Sequence, residues 1–318
     1  MFRPEIKVLD CTIRDGGLIN ECNFEDKFVR AVYAACSAAG VDYIEVGYQA
    51  DKKFFSPDKY GKWKFCEESD VRKAIDGIES KSKISTMIDI GRVDLDAIRP
   101  KKESVVDMIR VACYVKDVDK AIQHVKACAD KGYETTINIM AISTALVPDL
   151  EEALKQLADV PVKAVYIVDS FGALYSEQIH FLVALYKKYL NPKGIEVGIH
   201  CHNNQQLGFG NTIEAIRKGA NYLDATIFGI GRAAGNCPME LLLAFLKNPK
   251  FKLEPILEVI ETEFIPLREK LEWGYIIPHM ITGILNQHPR DAMALRAGKD
   301  KDKYAQFYRN ALSGAELA

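Results

Sequence analysis

Two short stretches carry side chains able to hold and use a metal ion. Near the start of the chain Arg14 and Asp15 are followed by Gly16 and Gly17; much later His200 and His202 flank Cys201. Residues two apart on an extended strand share a face, so the two imidazoles point together and Cys201 points away. A third stretch, Gly229-Ile230-Gly231-Arg232-Ala233-Ala234-Gly235-Asn236, ends in an amide. A carboxylate, two imidazoles and an amide oxygen suit one divalent ion acting as a Lewis acid, Mn²⁺ or Mg²⁺ first, with Co²⁺ or Zn²⁺ as alternatives. An isolated His-x-His more often only hydrogen-bonds, and an Asn after glycine is often turn chemistry. Asp15 as a neighbour is what turns the histidines into metal ligands. Two histidines and a carboxylate also make the facial triad of iron oxygenases.

Beside these, Arg14 offers a planar guanidinium to a substrate carboxylate or to an oxyanion, with an ion pair to Glu45 or Asp10 as its structural role instead. Ser170, closing VDSFG, can donate to a substrate carboxylate or cap a strand-to-helix turn. Glu45 either supports the metal site or pairs inside the fold. Gly229, Gly231 and Gly235 do not have the G-x-G-x-x-G spacing of a dinucleotide loop.

Such distant segments need a frame that brings them together. Eight β-rich runs (7–13, 43–48, 83–89, 108–114, 135–142, 164–170, 196–202 and 222–230) alternate with helical patterns such as 24–40, 118–132, 176–190 and 211–220. Most runs are continuous apolar stretches, as expected for parallel strands buried on both faces. Eight strand–helix units within about 250 residues predict an α/β fold, a (β/α)8 TIM barrel. The barrel is expected over 1–250 and a C-terminal helical region over 251–318. A doubly wound open sheet, the other candidate, does not join its first strand to its last. Closure makes strands seven, eight and one neighbours, so Asp15, His200, His202 and Asn236 can converge. In the tail, Ile256, Ile260, Phe264, Leu267 and Leu271 form one helical stripe over 255–271, and 275–289 reads as another helix. The stripe is expected to cover the barrel, with docking of a second copy or a partner enzyme as the other use.

Composition excludes several classes. The 318 residues carry 48% hydrophobic and 27% charged side chains and a formal charge of −2, without a basic patch, which argues against disorder and nucleic-acid binding. MFRPEIKVLD lacks the apolar stretch of a signal peptide and no run is long enough for a membrane span, so a cytoplasmic protein is expected. Eight cysteines without a C-x-x-C read as reduced, mostly buried thiols.

The motifs DCTIRDGG (10–17), IEVGY (44–48), VDSFGAL (168–174), GIHCHNNQQLGFGNTIEAIRKGA (198–220) and GIGRAAGNCPMELL (229–242) together resemble the metal-dependent TIM-barrel lyase and synthase family. That family contains 3-hydroxy-3-methylglutaryl-CoA lyase, 2-isopropylmalate synthase and 4-hydroxy-2-oxovalerate aldolase. The resemblance implies Asp15, His200 and His202 as metal ligands, Asn236 at or near the metal, and Arg14 at the substrate's enolate oxygen. The tail, 273–289, resembles the aldolase branch. An aldolase acting on a 2-oxo acid such as pyruvate, with an aldehyde co-substrate, is therefore expected, and a homodimer or a partner dehydrogenase on the C-terminal helices. The alternatives are a Claisen-type synthase with an acyl-CoA co-substrate and a barrel that binds metal and 2-oxo acid without turnover. One departure stands out: the aldolases carry a histidine as acid/base where this chain has Leu18. Proton transfer then falls to metal-activated water or to Tyr48, whose ordinary pKa of about 10 makes it an acid rather than a base at neutral pH. Cys237 lies on the wrong side of the Gly-Asn element for the lyase's cysteine and reads as a packed thiol.

Overall fold

In the computed structural model, which describes residues 2–315, eight parallel strands close into a barrel in chain order. They are β1 (Lys7–Asp10), β2 (Tyr43–Tyr48), β3 (Lys83–Asp89), β4 (Met108–Cys113), β5 (Glu134–Ile139), β6 (Ala164–Asp169), β7 (Glu196–Cys201) and β8 (Tyr222–Ala225). The ring closes where β8 pairs with β1, Leu9 facing Asp224 and Asp10 facing Ala225. Amphipathic helices at Asp26–Ala38, Glu68–Ile75, Val118–Asp130, Val147–Leu157, Ser176–Leu190, Gly208–Lys218 and Met239–Leu246 follow seven of the strands. The crossover from β3 to β4 has only the short 3-10 turn Lys101–Glu103. Its backbone acceptors are met from outside the segment: Lys131 Nζ donates to the carbonyls of Leu95 (2.5 Å) and Ile98 (2.6 Å), so no helix is needed to satisfy them.

Side chains two residues apart on a strand face the same way, and inside the barrel this builds layers from alternate strands. Tyr43, Met108, Ala164 and Tyr222 open β2, β4, β6 and β8 and plug the N-terminal end. Two positions further on come Glu45, Arg110, Tyr166 and Asp224, all completely or almost completely buried. The guanidinium of Arg110 lies 4.4 Å from the centre of the Tyr166 ring in the same layer, so an aromatic face supports the buried charge. The larger apolar core lies outside this, between strands and helices.

Six strands end before their sequence runs do, β1, β5 and β8 by three residues or more. β1 stops at Asp10 because the Asp10 carboxylate takes the Thr12 N–H (3.3 Å) and hydroxyl (2.5 Å), starting the helical turn Thr12–Gly16. β8 stops at Ala225 and enters the 3-10 turn Ile227–Gly229, in which Phe228 is left-handed and donates its N–H to Glu240 Oε2 at 3.0 Å. No helix among the described residues is long and apolar enough to cross a membrane.

The tail helix runs through Glu254–Val259, a π turn at Ile260–Phe264, and Ile265–Arg268. Its stripe faces the barrel: Ile256, Ile260 and Phe264 are buried, with Leu267 and Leu271 packed at the edge. Phe264 meets Phe28 of the first crossover helix at 5.1 Å between ring centres. Beyond it, Trp273 Nε1 donates to Phe228 O (3.0 Å), and the helices Ile277–Ile284, Arg290–Ala297 and Tyr304–Ala315 follow. The helix expected over 275–289 is shorter, because Pro278 starts it and left-handed Asn286 lies beyond its end. Asn286 Nδ2 then donates to Ser143 O (3.2 Å) and Asn204 Nδ2 to His279 O (3.4 Å), so the tail crosses the loops at the C-terminal ends of the strands.

Deleting the Phe264 ring tests that packing. Phe264→Ala is expected to cost about 3–5 kcal/mol, seen as a lower urea midpoint; an unchanged midpoint would mean that the tail helix does not hold to the barrel.

Candidate metal centre

Asp15 sits on the helical turn after β1, His200 within β7, and His202 just past the end of β7. Thr12 Oγ accepts the Ile227 N–H at 2.9 Å, which ties the turn to the loop after β8. That loop doubles back, so that Asn236 forms an antiparallel bridge with His202 and donates Nδ2 to Asp15 Oδ2. Gly231 makes this approach possible: a Cβ there would fall 2.7 Å from Asp15 Oδ2. The outcome is a buried cluster in which ligand atoms of Asp15, His200 and His202 lie within 4.8 Å of one another.

Behind the cluster runs a chain of buried charges. Arg14 donates Nη1 to Asp15 (2.9 Å) and Nε to Glu45 (2.7 Å). Arg110 donates Nη1 to the same Glu45 oxygen (3.0 Å) and Nη2 to Asp224 (2.6 Å). Asp224 in turn meets His200 Nδ1 at 2.9 Å. Starting from Asp15, the chain therefore ends on His200, at the other side of the same site. Arg14 pairs with Glu45 and not with Asp10, and among the described residues Nε and Nη1 are the nitrogens that make these pairs.

The electrostatics fit a divalent cation. Burial alone would raise the Asp15 carboxyl, but Arg14 and the two histidines hold it well below the ordinary range. Burial pushes His202 down to about 3, which leaves it neutral. Asn236 Oδ1 is buried without any hydrogen-bond partner. An ionised carboxylate, a neutral imidazole and an unpaired amide acceptor are the donors such an ion takes. A second triplet, Cys11, His200 and Asp224, is equally compact, but burial holds the Cys11 thiol protonated and Arg110 already pairs Asp224. Asp224 thus orients His200 through Nδ1 and leaves Nε2 for the Asp15 side.

Other residues named from sequence have definite places. Ser170 Oγ accepts the Ala141 N–H at 2.8 Å, which leaves its own proton to donate. Tyr48 is buried, and burial raises its pKa above the ordinary phenol range. Cys237 is a buried free thiol pushed up to about 12, as all eight cysteines are buried and unpaired. The glycine loop presents a side chain rather than a cradle of N–H groups.

Sequence reasoning missed five groups. Arg110 and Asp224 were legible only as charges interrupting apolar strands. Lys64 is 5% exposed and lies 3.9 Å from the Tyr48 ring centre and 4.1 Å from that of Phe55, with no ion pair among the described residues. It is brought there because left-handed Gly47 lets the backbone of Trp63 press directly on β2, leaving no space for a Cβ. Arg232 reaches Ser170 O (3.2 Å) and the His288 ring of the tail (3.3 Å). Nothing in the spacing of either marks it.

Comparison with known proteins agrees with this geometry. The HMGL-like family model matches residues 5–262. The chain is 32% identical to a 4-hydroxy-2-oxovalerate aldolase of Thermomicrobium roseum over 287 residues, 85% of this chain and 78% of that one. It is 28% identical to one of Bacillus thuringiensis over 282 residues, 86% and 81% of the two chains. Among solved structures, the N-terminal domain of a candidate aldolase from Bacteroides vulgatus superposes with a TM-score of 0.78 at 32% identity, covering 94% of this chain and all 100% of that one. The carboxyl transferase domain of Rhizobium etli pyruvate carboxylase shares the fold alone, with a TM-score of 0.72 at 11% identity over 96% of this chain and 56% of that one.

Orientation of His200 by Asp224 can be measured by calorimetric titration with Mn²⁺. Asp224→Asn is expected to weaken binding about 10–100-fold, while His200→Ala or His202→Ala loses stoichiometric binding altogether; unchanged affinity in Asp224→Asn would break the link.

Proposed function

Since the chain belongs to the HMGL-like family, we propose that it is a divalent-metal-dependent carbon–carbon lyase, an aldolase that acts on a 2-oxo acid of the pyruvate type. The observation that carries this reading is the convergence of Asp15, His200 and His202 at the barrel mouth with Arg14 locked beside them. Asp15, His200 and His202, with Asn236 adjoining, would hold the ion, which supplies a Lewis acid for the 2-oxo group.

The chain's own residues do the rest. Arg14 is fixed at two nitrogens by Glu45 and Asp15, so its third, Nη2, is a preorganised donor for negative charge gathering on the 2-oxo oxygen when the neighbouring bond breaks. The Ser170 hydroxyl, its oxygen already accepting from Ala141, donates to the substrate carboxylate. Tyr48, raised by burial, stays protonated at neutral pH and is a donor; the proton taken from substrate goes to water at the mouth. Burial of the whole cluster excludes bulk solvent and strengthens these interactions.

The test is loss of the pyruvate methyl signal in D₂O, followed by NMR with Mg²⁺ or Mn²⁺ present. Exchange is expected, and none at any ion concentration would sink the reading. Arg14→Lys, which keeps charge but not the fork, should slow exchange by roughly two to three orders of magnitude with metal content intact. Tyr48→Phe should largely retain exchange and Leu18→His should speed it; complete loss in a metal-loaded Tyr48→Phe would make the tyrosine the proton carrier.

A further inference from the structure

The mouth holds a cation, Arg232, that lies in the field of Asp15 but has no ion-pair partner among the described residues. Within its hydrogen-bonding reach there are the carbonyl of Ser170 and the ring of His288, both neutral. Burial, and then Arg232 itself, push His288 down to about 4, so the ring is neutral, and its Nδ1 accepts the Arg290 N–H at 3.1 Å. The Nε of Arg232 is buried with no hydrogen-bond partner, and among the described residues no carboxylate forms an ion pair with it. A guanidinium cannot shed its proton to relieve this, and a half-buried charge without a hydrogen-bonded counter-charge is costly. Lys64 differs, because it rests on two aromatic faces.

Charge at the site decides what Arg232 awaits. Asp15, Glu45 and Asp224 carry three negative charges against two positive on Arg14 and Arg110, and a divalent ion turns the net value to one positive. The carboxylate of one 2-oxo acid cancels that. Arg232 remains in excess, on the loop whose Gly231 abuts Asp15, and it reaches the residue that bonds the substrate carboxylate.

We propose that Arg232 binds a second carboxylate, so that the substrate is a dianionic 4-hydroxy-2-oxo acid with a carboxylate at C4 in place of an alkyl group. This rests on the aldolase reading. In the cleavage the C3–C4 bond breaks and its electron pair stays on C3. The C4 hydroxyl loses its proton and becomes the carbonyl of a 2-oxo acid product, and C3 takes a proton from solvent to give pyruvate. No oxidant or reductant enters. Arg232 holds the C4 carboxylate through a charge-assisted pair that a C4 methyl group cannot replace.

The experiment compares 4-hydroxy-2-oxoglutarate with 4-hydroxy-2-oxovalerate, which differ only in carboxylate against methyl at C4, by the pyruvate methyl signal in NMR. The wild-type, metal-loaded protein is expected to favour the dianion in kcat/KM by about 10–100-fold, the worth of one charged hydrogen bond. In Arg232→Met that ratio should collapse to within a few-fold, while Arg232→Lys should keep part of it. Cleavage of the valerate at least as fast as the glutarate by the wild type, or an unchanged ratio in a folded Arg232→Met, overturns this inference alone. Pyruvate from neither substrate, with no deuterium exchange, overturns the aldolase reading and this inference together.

Discussion

The structure depends on a run of buried charge that begins and ends at one site. Asp15, Arg14, Glu45, Arg110, Asp224 and His200 are linked in sequence by ion pairs and hydrogen bonds, and every member is almost inaccessible to water. Removing five ionised groups from water costs several kcal/mol apiece, and their mutual attraction repays it only with good geometry. That geometry needs β1, β2, β4, β7 and β8 held in one register, which only a closed ring supplies. The charge run does not add to stability so much as it makes a single arrangement of strands tolerable, and it locks the orientation of Asp15 and His200 from behind.

Above the aromatic plug the barrel interior changes from apolar to polar within two residues. Beside the charged layer, Ser85 on β3 and Thr136 and Asn138 on β5 are buried with side-chain polar atoms unpaired, in Asn138 both of them. Such groups are costly when left alone and are what a polar ligand or ordered water satisfies. The interior is therefore divided: β7, β8 and β1 supply strong ligands, and β3 and β5 a reserve of neutral hydrogen-bonding groups. The tail and the loop after β8 close one side with Arg232 and His288.

Much of this was legible in the sequence, and the reason is periodicity. Buried parallel strands read as continuous apolar runs, and the fact that polar residues collect where such runs end pointed to Asp15, His200, His202, Asn236 and Ser170. What escaped is what periodicity does not encode. Arg110 and Asp224 sit within strands, and their partners lie 65 and 114 residues away, so the sequence showed the charges but not the pairing. Lys64 owes its place to a close approach at Gly47, and Arg232 to a loop whose glycines drew notice for their spacing while its side chain did the reaching. The β3–β4 crossover was read as one more strand–helix unit, because nothing in its composition announces that Lys131 would satisfy its carbonyls.

The position of the tail has a consequence for the order in which the molecule comes into being. Asp15 leaves the ribosome early and cannot meet His200 or Asn236 until the intervening strands have been made and β8 has found β1, a pairing of segments more than two hundred residues apart in the chain. Contacts of that range are slow to form and leave strand edges open meanwhile. His288 is made later still, so the barrel brings Asp15, His200 and His202 together before it has a finished mouth. The two sides of the mouth thus belong to different stages of synthesis, and the last helices act on a barrel whose buried charges are already paired.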